Sequence, residues 1–344
     1  MNCLYCNKEI VNNNEQLWHK KCIKDFFGTD TLPIIDINFD KIEKVISSTE
    51  TKQDITGVQK KLSLHLVNDG KNSRLTIVNK PAGYILKFES DSSDMAIDEY
   101  VTMTMAREIG IKTVPFGLIQ LSNGNYAYIT KRIDRIDDNK IHIEDFCQLS
   151  NKLTENKYSG SYEYCGKLIK TYSTLSMNNS TIELSEFFKL VLFCYLTGNS
   201  DMHLKNFSLI EDKSIYLSPA YDLINVHLIM NDEEDLAITL NGKKKNITKN
   251  DFIEFGLNLG LNEKQINLLI NNVISNGDKM MSIICDSLLC KEQKFKYLKE
   301  ISNKRLKFIS TRKDKRIGVA KDLWQEISEK DFDNFDLDSI MKGK

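Results

Sequence analysis

The segment Thr197–Leu209, TGNSDMHLKNFSL, follows directly on an apolar run and brings four polar side chains into six residues: Asp201, His203, Lys205 and Asn206. A buried element rarely ends in several polar groups unless they have partners or a function. On one loop, a carboxylate at Asp201 can accept a proton and a carboxamide oxygen at Asn206 can bind a cation. The segment therefore predicts an active site immediately after a buried helix.

The bulk composition argues against several classes of protein. The chain has 344 residues, of which 41% are hydrophobic, so it is long enough for a large core in two lobes. A net charge of −1 argues against direct nucleic-acid binding and against binding to an anionic membrane. The opening MNCLYCNKEI lacks the form of a signal peptide, and the most apolar stretch, 187–198, is too short to span a bilayer. We expect a cytoplasmic protein with reduced cysteines.

Before residue 135, apolar residues alternate in short runs, which predicts strands. These runs lie at 62–66, 72–78, 83–89, 115–121 and 125–134. One helical pattern precedes these runs, at 36–50, and a second interrupts them, at 93–110. The second has Ser93 or Asp94 as its expected N-cap and Gly110 as its expected stop.

From Ile141 onward, the spacing of apolar residues is nearly all helical. The predicted helices are 143–153, 161–174, 185–198, 249–258, 262–275, 278–289 and 291–309. We therefore predict an α+β protein with a strand-rich lobe before a mostly helical lobe. The predicted domains are a small Cys/His head at 1–28, an N-terminal lobe at 29–135, a helical C-terminal lobe at 136–330 and a tail at 331–344, whose composition is compatible with disorder.

Polar motifs follow one another along these lobes in the order found in kinases. A glycine loop, TGVQKKL, comes first, then Lys87 in an apolar strand, Glu99 on a helix, the Asp201 segment, and Asp222 in AYD. A glycine lets the backbone approach phosphates, a strand lysine neutralises their charge, and oxygen ligands suit Mg²⁺. The order predicts a bilobed, kinase-like fold, with Glu99 as the partner of Lys87.

Five blocks resemble the HipA family of kinase-fold toxins: GVQKK (57–61), ILK (85–87), IEDFCQ (143–148), GNSDMHLKNFSL (198–209) and LSPAYD (217–222). They occur in the order of the family and lie between residues 57 and 222. The resemblance implies ATP-dependent phosphorylation of serine or threonine in a protein target. In this family, the known kind of target is an aminoacyl-tRNA synthetase, whose inactivation stops growth.

The resemblance also implies roles for individual residues. Asp201 matches the catalytic base, Asn206 and Asp222 match the ligands of Mg²⁺, and Lys87 matches the lysine that binds phosphate. The other residues that the resemblance places around ATP are Gly57, Val58, Gln59 and Lys61 of the loop, Lys131, Arg132 and Ile133 of the hinge, and Gln148, His203 and Tyr221.

Two departures from the family pattern point to a subtype. Only 56 residues precede Gly57, fewer than is usual in HipA-type proteins. This resembles the shorter HipT-like toxins of three-gene systems, in which a small HipS-like protein supplies the missing part. Asp54 stands where the family often has an autophosphorylated serine, and Thr56 stands where HipT-like loops often carry a second one. The resemblance makes Thr56 the expected autophosphorylation site, and it implies a HipB-like antitoxin and a HipS-like protein as partners.

The head has the pattern C-x2-C-x12-H-x2-C, formed by Cys3, Cys6, His19 and Cys22. Four soft ligands at this spacing suit one tetrahedral Zn²⁺, which would be structural because all four positions are filled. The alternative is a small apolar cluster of reduced cysteines that binds no metal.

Several of these residues also have a purely structural interpretation. Asp201 and Asn206 could cap a helix and bridge a loop, His203 could brace that loop, and Tyr221 could pack against the metal ligands. Two other functions stay open as well. One is a catalytically weak pseudokinase or antitoxin-type binding protein, and the other is a small-molecule kinase of the aminoglycoside or choline kinase type.

Overall fold

The structure of the protein is a computed structural model. It describes residues 2–11, 17–35, 60–68, 72–77, 82–89, 92, 94–136, 139–175, 179–230 and 234–309. Several predictions fall outside this part of the chain: the helix at 36–50, the tail at 331–344, and the loop residues Asp54, Thr56, Gly57, Val58 and Gln59.

The chain divides into two compact units. The first comprises Met1–Tyr100 and Val114–Lys140, and the second comprises Val101–Thr113 and Ile141–Lys344. The first unit holds most of the strands and the second most of the helices, so the predicted α+β class is confirmed. The domain boundaries derived from the sequence stay predictions.

The first unit contains a sheet with a short helix, α1 (Lys20–Phe27), before it. The strands are β1 (Ile34–Ile35), β2 (Lys60–Asn68), β3 (Ser73–Thr76), β4 (Tyr84–Phe88), β5 (Phe116–Gln120) and β6 (Tyr126–Lys131), followed by a two-stranded pair, β7 (Arg135–Ile136) and β8 (Asn139–Lys140). In the described residues, the main sheet has the order β1-β3-β2-β4-β6-β5. Tyr84, Leu86 and Phe88 alternate as buried residues along β4, so Lys87 points to the opposite face.

Helix α2 (Asp94–Glu108) begins at Asp94, the second of the two residues predicted as its N-cap. The carboxylate of Glu89 accepts hydrogen bonds at 3.1 Å from two backbone amides in the first turn. Asp94 is the first helical residue instead of the N-cap, because a carboxylate from beyond the end of β4 reaches the helix start. The alternative cap, Ser93, lies outside the described residues. The helix ends as predicted at Gly110, where φ is 83°.

The second unit is mostly helical. Its described helices are α3 (Phe146–Leu149), α4 (Tyr162–Leu175), α5 (Ser180–Leu196), α6 (Val226–Ile229), α7 (Lys249–Asn258), α8 (Glu263–Ser275), α9 (Gly277–Cys285) and α10 (Lys291–Leu306). The helices predicted at 161–174, 249–258, 262–275 and 291–309 are confirmed within a few residues. Helix α5 starts five residues before its prediction, because the Asn179 side chain caps its first turn at 3.1 Å. The helix predicted at 278–289 ends early, at Cys285.

The helix predicted at 143–153 is mostly wrong. Strand β9 (His142–Asp145) occupies its first part and pairs with β10 (Ser208–Asp212), which also pairs with β11 (Ser214–Leu217). The spacing of the apolar residues in this segment fits both a helix and a strand. Pairing with a strand far along the chain decides between the two. Only the four residues of α3 are helical there.

Helix α5 forms the core of the second unit and leads into the polar segment. Its residues from Leu190 to Leu196 are all buried, so the apolar run in the sequence corresponds to a helix enclosed on all sides. Among the described residues, no helix has both the length and the apolar character that a membrane span requires.

Candidate active site

The chain turns sharply after α5 at Gly198, where φ is 71°. A Cβ at this position would lie 2.5 Å from Glu300 Oε2 and 2.6 Å from Asn225 Oδ1. The backbone conformation and the lack of space therefore both require glycine. This turn carries the chain from the buried helix into the segment that the sequence predicts to be catalytic.

Asp201 and Asn206 are connected within this segment. The Asn206 side chain donates through Nδ2 to the Asp201 carbonyl oxygen at 3.0 Å, and the His203 amide donates to the same oxygen at 2.8 Å. The carboxylate of Asp201 and Oδ1 of Asn206 remain as acceptors. The Asp201 side chain is 41% exposed, whereas Asn206 is at the edge of burial. A carboxylate that solvent reaches and a fixed amide oxygen thus lie on one short loop.

Tyr158 contacts the Asp201 carboxylate and was not predicted from the sequence. Its hydroxyl donates to Asp201 Oδ1 at 2.5 Å. Its ring meets the His203 ring edge-on, with 5.0 Å between the centroids, and the Lys157 ammonium lies 5.0 Å from the Tyr158 centroid. Tyr158 follows a 3-10 turn at Thr154–Asn156, and no spacing rule connects this turn to Asp201.

His203 is a buried residue whose surroundings favour the bracing role over a catalytic one. Its Nε2 lies 4.0 Å from Asp201 Oδ1, and its Nδ1 is buried without a hydrogen-bond partner among the described residues. Burial lowers the pKa of His203, against the opposing effect of the Asp201 charge. The ring is therefore neutral at neutral pH and packs under the loop instead of supplying a positive charge.

Asp222 and Tyr221 form a second polar segment in the same unit. Asp222 has a left-handed backbone conformation, with φ 55°, which aspartate adopts more readily than most residues. The Tyr221 hydroxyl lies 2.5 Å from Ser208 Oγ and donates to the carbonyl oxygen of Lys205 at 3.1 Å. Burial raises the pKa of Tyr221, so this donor keeps its proton. Because Lys205 directly precedes Asn206, the bond ties the Asp222 segment to the Asp201 segment.

Gln148, predicted to flank the nucleotide, has a structural use in the described part of the chain. Its Oε1 accepts from the Asp145 amide at 2.9 Å, and the Gln148 amide donates to Asp145 Oδ1 at 2.8 Å. The two residues form a capping box at the start of α3. Asp145 also lies 3.3 Å from the Lys205 ammonium, so this cap is joined to the Asp201 segment.

In the first unit, Lys87 and Glu99 form an ion pair with 2.7 Å between Nζ and Oε1. The second carboxylate oxygen of Glu99 is buried and has no hydrogen-bond partner among the described residues. Burial raises the pKa of Glu99, and the Lys87 charge opposes that shift. Lys61 lies directly opposite Lys87 in the β2–β4 register. Two lysines and one buried carboxylate therefore occur together on one face of the sheet.

The predicted hinge residues Lys131, Arg132 and Ile133 lie at the end of β6 and just beyond it. Arg132 donates from Nε and Nη2 to the Asp134 carboxylate at 2.8 and 2.7 Å, which holds the pKa of Asp134 below its usual value. Its backbone amide donates to the Gly83 carbonyl oxygen at 2.9 Å. The Arg132 side chain thus fixes the chain after β6, whereas the Lys131 side chain is exposed.

The four residues of the head are also brought together. The Sγ atoms of Cys3, Cys6 and Cys22 and a ring nitrogen of His19 all lie within 4.8 Å of one another. Of all the predicted site residues, Gly57, Val58, Gln59 and Thr56 are those for which the described residues give no position. The roles assigned to the others stay predictions.

We expect Lys87→Met to lower the free energy of unfolding by about 3–5 kcal/mol at neutral pH, because the buried Glu99 carboxylate loses its cation. The pKa of Glu99 is raised in the folded state. The folded protein therefore binds the proton of Glu99 more tightly than the unfolded chain does. The free energy of unfolding then falls as pH rises above about 4.3, the pKa of a glutamate in an unfolded chain. The variant should recover stability toward about pH 5, as urea denaturation at several pH values would measure.

The double variant Lys87→Met, Glu99→Gln is the matched control, since it removes the cation and the titrating carboxyl together. It should lack the extra pH dependence of the single variant. A Lys87→Met protein as stable as the wild type at neutral pH would show that Glu99 does not depend on Lys87.

The chain is similar to several known proteins. Residues 54–281 match the family described as "HipA-like C-terminal domain". The chain is 32% identical over 231 residues to a Sinorhizobium fredii protein named "Putative kinase Y4dM". It is 26% identical over 255 residues to "Serine/threonine-protein kinase toxin HipA" of Shewanella oneidensis. These alignments cover 62% and 68% of this chain and 55% and 57% of the relatives, so the chain spans little more than half of their lengths.

A solved structure has a similar fold. It contains HipA of the Shewanella oneidensis toxin–antitoxin system with HipB and operator DNA, and it aligns with a TM-score of 0.63 at 20% identity. The alignment covers 85% of this chain and 74% of the other. The similarity confirms the predicted kinase-like fold.

Proposed function

The chain belongs to the family of HipA-like C-terminal domains, which includes kinases, and from this membership we propose that it is an ATP-dependent serine/threonine protein kinase of the toxin type. The observation that supports the proposal best is the hydrogen bond from Asn206 Nδ2 to the Asp201 carbonyl oxygen, connected through Tyr221 to the segment of Asp222. A proton acceptor and two oxygen ligands held in one unit are what phosphoryl transfer requires.

The residues present fit Mg²⁺. Because Asn206 donates through Nδ2, its Oδ1 is oriented as a hard oxygen ligand, and Asp222 adds a carboxylate. Mg²⁺ commonly takes one or two such protein ligands and completes its shell with water and phosphate oxygens. When bound, the ion would neutralise charge on the phosphates of ATP.

The side chains of this chain have separate tasks in the proposed reaction. Asp201 accepts the proton of the substrate hydroxyl, and Tyr158 holds that carboxylate by its hydrogen bond. His203 packs beneath both residues as a neutral ring. Lys87, oriented by its ion pair with Glu99, supplies positive charge to the phosphates.

The proposed target is a protein serine or threonine, and the proposed substrate class is an aminoacyl-tRNA synthetase, whose phosphorylation arrests translation. The Shewanella HipA structure contains HipB. A HipB-like antitoxin is therefore a proposed partner of this chain, and a small HipS-like protein is the partner that the HipT-like pattern of the sequence suggests.

Incubating the full chain with ATP and Mg²⁺ tests the proposal against the two alternatives. We expect phosphate on serine or threonine of a purified aminoacyl-tRNA synthetase, and no phosphate on amino alcohols or aminoglycosides. Transfer to the small molecules alone would indicate a small-molecule kinase. Nucleotide binding without turnover on any substrate would indicate a pseudokinase or an antitoxin-type binding protein.

We also propose that Thr56 is autophosphorylated, on the basis of the loop sequence, since the residue lies outside the described part of the chain. A phosphate there adds about −1.5 to −2 charges beside the predicted ATP phosphates and should lower activity. Mass spectrometry after incubation with ATP and Mg²⁺ should find this phosphate, Thr56→Ala should remove it, and Asp54→Ser should add a second. An active enzyme without phosphate on Thr56 would refute the assignment.

A further inference from the structure

The Cys/His cluster of the head has the dimensions of a metal site. Cys6 Sγ lies 3.4 Å from His19 Nδ1, and Cys22 Sγ lies 3.7 Å from the same nitrogen. Bonds of about 2.1–2.3 Å at tetrahedral angles separate ligand atoms by about 3.6–3.8 Å. Cys3 Sγ completes a set of three sulfurs and one nitrogen that all lie within 4.8 Å of one another.

A hydrogen bond from outside the cluster determines which ring nitrogen of His19 carries the hydrogen. Its Nε2 lies 3.1 Å from the carbonyl oxygen of Glu9, so Nε2 carries the proton and donates it. The lone pair of Nδ1 then faces the sulfurs, as in metal sites where an outer partner orients the histidine. The His19 backbone amide also donates to Cys3 Sγ at 3.4 Å, which holds this sulfur beside His19.

We propose that the head binds one structural Zn²⁺ through Cys3 Sγ, Cys6 Sγ, His19 Nδ1 and Cys22 Sγ. On binding, the three thiols release their protons to solvent and the thiolates bind the metal with the neutral imidazole. Four protein ligands fill a tetrahedral shell, so the site supports structure and leaves no position for a substrate.

The metal has a specific structural task, because its ligands flank the residues that cover a sheet edge. Strand β5 is the last strand of the main sheet in the described residues. The Leu118 amide donates to the Leu4 carbonyl oxygen at 3.0 Å, and the Trp18 indole donates to the Leu118 carbonyl oxygen at 2.8 Å. Leu4 directly follows Cys3, and Trp18 directly precedes His19. Zinc therefore fixes the two groups that satisfy the backbone amide and carbonyl of Leu118 at the edge of the sheet.

The head packs closely against β5 at this edge of the sheet. A Cβ on Gly117 would lie 2.6 Å from two carbons of the Trp18 ring and 2.9 Å from the Leu4 carbonyl oxygen. Trp18 is 2% exposed and packs against Phe26 and Phe27 of α1, the helix that also carries Cys22. Loss of the metal would therefore loosen the head and the edge of the sheet together.

Metal analysis of the full chain, purified without added zinc, tests the proposal. We expect one zinc per chain, which Co²⁺ should replace with the absorption bands of a tetrahedral thiolate site. Cys6→Ser should lose most of the zinc, Cys290→Ser should keep it because Cys290 is exposed and outside the cluster, and His19→Cys should keep it with four sulfur ligands. A wild-type chain without zinc, whose three thiols react freely and whose Co²⁺ form lacks these bands, would overturn the proposal.

A second measurement addresses the coupling to β5 and does not depend on kinase activity. Removing zinc from the wild type with a strong chelator should lower Tm by about 10 °C or more, because the bound metal stabilises only the folded state. Hydrogen exchange should increase at the Leu118 amide, while Cys290→Ser should respond like the wild type. Zinc removal that leaves both Tm and this amide unchanged would overturn the structural role.

Discussion

We expect Asp201→Asn to lower the rate of phosphoryl transfer by about 10²–10⁴-fold, because the amide cannot accept the proton of the substrate hydroxyl. The side chain keeps its size, and its backbone carbonyl still accepts from Asn206 Nδ2. The fold, the Tm and the affinity for ATP should therefore change little. Single-turnover kinetics with ATP and a protein substrate would separate the chemical step from binding.

Tyr158→Phe is the matched control for this prediction. It removes the hydrogen bond to Asp201 Oδ1 but keeps the carboxylate and the ring that packs on His203. Its loss of rate should be much smaller than that of Asp201→Asn, because a base remains in place. Equal losses in the two variants would show that the carboxylate acts through its structure and not as a base.

The second large effect is expected for Asp222→Asn, which should lose at least about 10²-fold in rate, since a metal ligand contributes several kcal/mol to charge stabilisation. Asparagine is the informative substitution at this position because φ is 55° and asparagine tolerates the left-handed conformation better than alanine. The loss should be partly relieved at high Mg²⁺ concentration, as a Mg²⁺ titration of the rate would show.

Asp212→Asn is the control for Asp222→Asn. Asp212 is an exposed carboxylate at the end of β10 in the same unit, and its replacement should leave both the rate and the Mg²⁺ dependence unchanged. An Asp222→Asn enzyme with the wild-type rate and the wild-type Mg²⁺ requirement would remove Asp222 from the proposed metal site.

Local chemistry explains why parts of the fold were predictable. Helix α7 matches its predicted range, and its start is fixed by a capping box between Thr248 and Asp251. Asn262 and Gln265 form the same motif at the start of α8. In these helices, the capping residues and the apolar residues with helical spacing lie close together in the sequence. The sequence alone therefore predicts the helix and its start.

The errors arise where distant parts of the chain meet. The first part of the segment predicted as a helix at 143–153 forms strand β9 because it pairs with β10, more than sixty residues later. This outcome depends on a tertiary contact that neither period nor propensity encodes.

The candidate site shows the same contrast between residues close in the sequence and residues that only the fold brings together. Asp201 and Asn206 could be found because both lie on one loop with a recognisable spacing. Tyr158 was missed because only the folded chain brings its hydroxyl to Asp201. The Gln148 side chain forms a capping box with Asp145, and its place beside the nucleotide stays a prediction.

In the proposed function, this chain transfers phosphate from ATP to serine or threonine of a protein through Asp201. The most direct measurement compares the phosphoproteomes of cells that express the wild type and the Asp201→Asn variant at equal levels. We predict new phosphoserine or phosphothreonine sites in the wild-type sample alone, concentrated on an aminoacyl-tRNA synthetase. Identical phosphoproteomes in the two samples would contradict the claim.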